Sequence, residues 1–164
     1  MSTPHNRQAE WDDLKARYMR PRNELVSTAR GVHHTAHISS DVERTIKFHQ
    51  EILGFPLAEL FENRDYAGST HFFFAIGNGN YLAYFDLPGL DLEPYKEVLG
   101  GNHHLAISME RSNWEMVKNR LDEHGIPYAH VDGSSIYFNG PDGERLELIS
   151  DPLGHMYGKD IGEF

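Results

Sequence analysis

The sequence predicts an α+β fold: two βαβββ modules forming an incomplete barrel around a metal-binding cavity, with an N-terminal helical extension. Three observations predict it. The histidine pair His33-His34 recurs as His103-His104, 70 positions on, and Gly54-Phe55-Pro56 recurs as Gly125-Ile126-Pro127, 71 positions on. One residue of slippage across such a span is what a duplicated supersecondary unit with one loop change shows. In each copy a short β-like run leads into a helix start, and three further strand-like runs follow, punctuated by turn residues. Four strands alone cannot bury both faces of their sheet, but two copies side by side can curl into a partial barrel with helices outside and a cavity inside.

The elements follow in order. Residues 1–30 stand apart as the extension, where Trp11, Leu14 and Tyr18 fall at helical spacing and Pro21 should end the helix. This reads as a short amphipathic helix packed on the body or on a partner subunit, with no chemistry assigned. The main domain spans 31–153, with modules at 31–88 and 102–150 joined by a linker at 89–101, and 154–164 forms a C-terminal tail. In the first module a strand over His34–Ser39 precedes a helix that Asp41 should cap and Gly54 should stop; Val42, Ile46, Ile52 and Leu53 are its apolar positions. "FPLAELFEN", "STHFFFAI" and "NYLAYFD" supply its other strands, the last two joined by Gly-Asn-Gly-Asn. In the second, a strand over His104–Met109 leads to Ser112-x-x-Glu115, which has the form of a capping box. Trp114, Val117 and Leu121 form that helix's buried stripe and Gly125 its stop, before "IPYAHVD", "SSIYFNG" and "ERLELIS".

Composition excludes several classes. The chain has 164 residues, 39% hydrophobic and 24% charged, which suits a globular domain rather than a disordered chain. A net charge of −10 and the lack of a basic stripe argue against nucleic acid or an anionic membrane surface as partner. There is no cysteine, so disulfides, thiolate catalysis and Cys-ligated zinc are excluded. No signal-peptide core or apolar run of membrane-spanning length is present, so a cytoplasmic location is the default expectation.

Alternation decides which side chains face the cavity. In "HHLAISM" the bulky set Leu105, Ile107 and Met109 belongs beneath the helix, which turns His104, Ala106 and Ser108 inward; His34, Ala36 and Ile38 are the equivalent set. In the last strand Leu146 and Leu148 take the packed face, leaving Arg145, Glu147 and Ile149 inward. A strand histidine alone is usually a locally bonded polar side chain, and an inward carboxylate alone is costly. Two imidazoles equivalent under the repeat, plus Glu147, form instead a ligand set for a divalent metal with open coordination positions. His71 shares a strand face with Phe73 and Ala75. If that face is the cavity, His71 is a candidate for general acid–base work; otherwise it is a polar residue at a strand end. His130 is a weaker candidate, and His37 falls on the helix-facing side as a structural residue. Phe72–Phe74, Tyr81, Tyr84 and Phe85 divide between a ring-shaped pocket and the core.

Over about 31–153 the chain resembles the vicinal oxygen chelate superfamily, which includes glyoxalase I, bleomycin-resistance proteins, extradiol dioxygenases and fosfomycin-modifying thiol transferases. The resemblance rests on "HHTAHISSDVERTIKFHQEILGF", "HHLAISM" and "YFNGPDGERLELISDP". It implies paired βαβββ modules around a metal held by His34, His104 and Glu147, with His33 and His103 outside the ligand pattern, and a homodimer. The glyoxalases have a fourth protein ligand, whose place here matches Ala83, so the resemblance leaves a three-ligand triad like that of the extradiol dioxygenases and the thiol transferases. Tyr137, ten residues before Glu147, matches a tyrosine that in extradiol enzymes hydrogen-bonds substrate near the metal. The expectation is thus a non-haem Fe(II) extradiol-type dioxygenase acting on a catechol-like or other vicinal-oxygen small molecule, with His71 and Tyr137 as catalytic residues. The alternatives are a non-redox lyase, isomerase or thiol transferase using Mn, Ni or Zn, and a metal-free drug-sequestering protein, against which the His-His-Glu set argues.

Overall fold

A computed structural model describes residues 6–161, apart from the side chain of Arg22. The first five residues of the expected extension and the last three of the expected tail lie outside the described residues. By internal contacts the described residues up to Gly31, with Ile161, form one unit, and Val32–Asp160 form another. In the first unit, α1 (Gln8–Tyr18) ends with Met19 already extended, two residues short of Pro21, and Arg20, which precedes the proline, is itself disfavoured in helical geometry. No residue of α1 is buried, Trp11, Leu14 and Tyr18 included.

The second unit holds the two modules. The first contains β1 (His34–Ile38), α2 (Val42–Lys47) continuing as a π-helical segment Phe48–Leu53, then β2 (Leu57–Glu62), β3 (Thr70–Ala75) and β4 (Tyr81–Phe85). The second contains β5 (Leu105–Ser108), α3 (Arg111–Glu123), β6 (Tyr128–Val131), β7 (Ser135–Asn139) and β8 (Arg145–Ile149). A short hairpin, β9 (His155–Met156) and β10 (Lys159–Asp160), follows. The sheets have matching orders, β1-β4-β3-β2 and β5-β8-β7-β6, with the first pair of each parallel and the rest antiparallel. These are two four-stranded mixed sheets, each with its helix, and neither is closed into a barrel.

Local chemistry sets the helix boundaries. Asp41 caps α2 by accepting from Arg44 N at 3.0 Å, and Gly54, at φ 76°, supplies the left-handed stop that ordinary side chains resist. The π-helical turn adds a residue to the register, so Thr45, Phe48, His49 and Leu53 are the buried set while Val42, Ile46 and Ile52 pack at its margin. The expected capping box of α3 does not form. The helix begins two residues earlier, at Arg111 with Glu110 at the N-cap position and no side-chain cap, and Glu115 Oε1 instead accepts from Arg111 Nε at 2.9 Å. Arg111 is held in place by a further bond to Gly133 O at 2.6 Å.

One apolar core serves both modules. Phe72, Phe74, Leu82 and Tyr84 from the first sheet join Ile107, Ile136, Phe138, Leu146 and Leu148 from the second, with Trp114, Val117 and Leu121 of α3 and Phe48 and Leu53. Burying such side chains is worth about 1.5–3 kcal/mol each before entropy is charged against it. A polar chain crosses the module boundary inside this core. The Tyr84 hydroxyl donates to Glu144 Oε1 at 2.9 Å and stands 3.2 Å from His49 Nε2, while His49 Nδ1 donates to Thr45 O at 2.9 Å. Burial pushes the His49 pKa down to about 4 and raises that of Glu144, so each group favours its neutral form. Tyr84→Phe strands both neighbours at once and is expected to lower stability by about 1–3 kcal/mol, read from urea midpoints at constant slope.

Candidate metal centre

The period-two alternation puts the helix-facing side chains of both sheets into the shared core and turns the other face of each sheet away from it. In the second module Ala106, Glu147 and Tyr137 lie in register across β5, β8 and β7, between the buried pair Leu146 and Leu148. Glu147 is only 4% exposed. Its Oε2 lies 3.1 Å from Nε2 of His104, which immediately precedes β5. Tyr137 stands beside this pair: its ring centroid is 5.5 Å from that of His104 and its hydroxyl bonds to Glu147. Burial, then the bond to Glu147, pushes the Tyr137 pKa up to about 12, so the phenol keeps its proton. Arg145, on the same face, lies over the Tyr137 ring at 5.1 Å.

In the first module His34 pairs across with Tyr81 and meets the Phe73 ring edge at 5.8 Å. Ala36 pairs with Ala83 as Ala106 pairs with Glu147, so the register puts a fully buried methyl group where the second module has its carboxylate. His104 and Glu147 are brought together; His34 is not joined to them. Among the described residues no group of three or more histidine or acidic side chains is disposed to hold a metal. The reason is topological: each face that carries the candidate residues is the side of its sheet turned away from the core that joins the modules.

His71 lies on the same face as His34, in an aromatic enclosure. Phe85 stacks on it at 3.9 Å between centroids, Phe73 lies at 4.2 Å and Phe61 at 5.2 Å. Its Nε2 is buried with no hydrogen-bond partner. Desolvation, helped by the charge of His34, lowers its pKa below the ordinary value of 6.5. Phe73, Tyr81 and Phe85 line this face with Phe61, whereas Phe72, Phe74 and Tyr84 belong to the core. His130 is on the other face, 5.5 Å from the Trp114 ring, and His37 is on the helix side against Tyr84. His155 Nε2 pairs with Asp160 Oδ1 at 2.9 Å inside the terminal hairpin.

Two residues beside the candidate site residues escape a reading by alternation. Glu97 belongs to the linker, which has no period to read, yet its Oε1 lies 3.5 Å from His103 Nε2 and 3.7 Å from Arg145 Nη1. Phe61 follows a register shift in the β2–β3 pairing, which moves it onto the His71 face.

Comparison with known proteins agrees with this architecture. The family model for the Glyoxalase/Bleomycin resistance protein/Dioxygenase superfamily matches residues 31–148. The chain belongs to this superfamily. Within it, the chain is 25% identical over 141 residues to "Putative ring-cleaving dioxygenase MhqA" of Bacillus subtilis (strain 168), covering 80% of this chain but only 43% of that relative. This chain therefore spans less than half of the MhqA protein. Metallothiol transferase FosB of Shouchella clausii (strain KSM-K16) is 30% identical over 131 residues, covering 75% of this chain and 82% of FosB. Among solved structures, a mutant of the fosfomycin resistance protein FosX from Listeria monocytogenes, complexed with Mn(II) and a dihydroxypropylphosphonic acid, superposes with a TM-score of 0.57. It is 22% identical and covers 77% of this chain and 96% of that one. Thus superfamily relatives include, by description, a putative ring-cleaving dioxygenase and a metallothiol transferase.

The enclosure of His71 has a measurable consequence. In an NMR titration its midpoint should fall below 6.5 and should climb toward that value in Phe85→Ala, which lets water reach the ring.

Proposed function

We propose that this protein is a metal-dependent enzyme of the dioxygenase branch, an extradiol-type dioxygenase holding Fe(II) with His104, Glu147 and His34. The donor set fits a divalent cation: an imidazole nitrogen and a buried carboxylate oxygen 3.1 Å apart, on adjacent strands. His34, His104 and Glu147 would hold the ion, which would supply the one-electron chemistry that dioxygen activation needs. Because the ligand-bearing faces of one chain are turned away from their common core, we assign His34 to the site of a second copy. The first module of one protomer then covers the second module of its partner, and the working unit is a homodimer.

The observation that carries the ring-cleaving reading is the face around His71. Phe61, Phe73 and Phe85 form an apolar wall around His71, whose buried, unpartnered Nε2 offers one polar contact within it. With its pKa lowered, His71 is a neutral base at neutral pH, able to take a proton from a diol hydroxyl and return it later. Tyr137, retaining its proton, orients the substrate beside Glu147. A second reading, metal-dependent thiol transfer to a small anionic substrate, is favoured by Arg145, a cation on the same face as Glu147.

Anaerobic loading with Fe(II), followed by oxygen uptake with a panel of catechols, tests the first reading. Consumption of oxygen with a ring-cleaved product is expected; thiol adducts formed with Mn(II) and no oxygen uptake would replace it with the second. Because activity needs the base form of His71, kcat/KM should fall on acidification only through a midpoint below 6.5. Subunit mixing tests the shared site. His34→Ala and Glu147→Gln should each lose activity by at least about a hundredfold. A mixture refolded together should recover part of it, because one site of the hybrid dimer has all three ligands. No recovery would return His34 to a role within its own chain or to none.

A further inference from the structure

His33 and His103, which lie outside the ligand pattern, repeat a contact that alternation alone does not require. His33 Nδ1 lies 2.9 Å from His34 Nδ1, and His103 Nδ1 lies 2.7 Å from His104 Nδ1. The ring centroids are 5.1 and 5.0 Å apart, and both pairs cross at 76°. Both flanking histidines are exposed, so burial does not explain a geometry reproduced in the two halves of a diverged repeat.

Two Nδ1 atoms at this distance share one proton: one ring donates and the other accepts. In the second module each outer Nε2 faces a carboxylate, His103 toward Glu97 and His104 toward Glu147, so a cation bound at His104 Nε2 decides the direction. Glu97 Oε1 lies 3.5 Å from His103 Nε2 and is itself paired with Arg145, which favours a proton on that Nε2. Glu97 reaches this place because Tyr95 anchors the linker, its hydroxyl donating to Asn102 O and its backbone N to Asp142 O. With its proton on Nε2, His103 presents an Nδ1 lone pair, and His104 must carry a proton on Nδ1. The Nε2 lone pair of His104 then faces the Glu147 carboxylate at 3.1 Å. Without an ion a proton on His104 Nε2 fills this contact, and a bound cation takes the place of that proton and moves it to Nδ1.

We propose that His103 and His33 are positioning residues for the cation site: each accepts the Nδ1 proton of the histidine that follows it, fixing that ring with its Nε2 lone pair free for a metal. In the second module Glu97 and Arg145 extend this into a relay, Arg145–Glu97–His103–His104, that ends on Glu147. The proposal rests on the metal reading of His34, His104 and Glu147 given above. It assigns the linker a part in the site that its lack of regular structure conceals. It also gives the histidine pairs distinct roles, the second residue of each binding the ion and the first orienting the second.

The test compares Mn(II) affinity, read from the EPR signal of the free ion, for the full chain and for His103→Phe, His103→Asn, His33→Phe and His33→Asn. Asn places an acceptor oxygen about where Nδ1 stands, and Phe fills the space without one. The Phe variants should bind Mn(II) about 10–100-fold more weakly, while the Asn variants should recover most of the loss. In the Zn(II)-loaded protein, nitrogen-15 spectra should show the remaining proton of His104 on Nδ1 and that of His103 on Nε2. Phe variants that bind as the parent does, losses that Asn does not recover, or a proton on His103 Nδ1 in the loaded protein would each overturn the inference and leave the metal reading standing. A parent protein that takes up neither ion would overturn both.

Discussion

The molecule depends on a single apolar core shared by two sheets. Each four-stranded sheet has one face to bury, and the two modules bury theirs together, with Phe48, Leu53, Trp114, Val117 and Leu121 from the helical segments between them. With one face of every strand committed in this way, the other is released from packing and can carry polar chemistry. His34, His71, His104, Tyr137, Arg145 and Glu147 all sit on released faces or at their ends. The same commitment keeps the two released faces of one chain apart, which is why the proposed site draws on a second copy.

Electrostatics divide along similar lines. Inside the core, Tyr84 links His49 to Glu144, and desolvation favours neutral forms in both acidic and basic partners. This run of hydrogen bonds joins the two modules. On the released faces the first module lowers the basicity of His71 by enclosing it in rings, while the second keeps Tyr137 protonated beside a carboxylate. One half thus favours an empty acceptor and the other a retained donor. Under the proposed function the acceptor takes a diol proton and the donor orients the substrate.

Much of this was legible in the sequence, because period-two alternation and a repeat are strong signals. The paired modules follow from the recurring histidine pairs and Gly-x-Pro stops, and the faces of β5 and β8 follow from Leu105, Ile107, Leu146 and Leu148. What stayed hidden has physical reasons. The π-helical turn at Phe48–Leu53 shifts the buried face by inserting a residue, which an apolar pattern of fixed period cannot register. Arg111 draws Glu115 away from the capping box, a contest between neighbours that the Ser112-x-x-Glu115 pattern does not reveal. Glu97 was invisible because an irregular segment has no period. That the three proposed ligands do not meet within one chain was equally unreadable, since alternation gives a side chain's face but not the direction in which that face looks.

Ala83 shows how the two halves have parted. Its register is that of Glu147, yet it offers only a methyl group among Phe73, Ala36 and their neighbours. Under the proposed function, duplication has ended in a division of labour: the later half supplies the carboxylate and one histidine, and the earlier half a single histidine set in shape and greasiness. Drift in the aromatic wall can then retune which molecules are admitted without disturbing the ion. A lineage carrying this scaffold can change diet while its inorganic chemistry stays put.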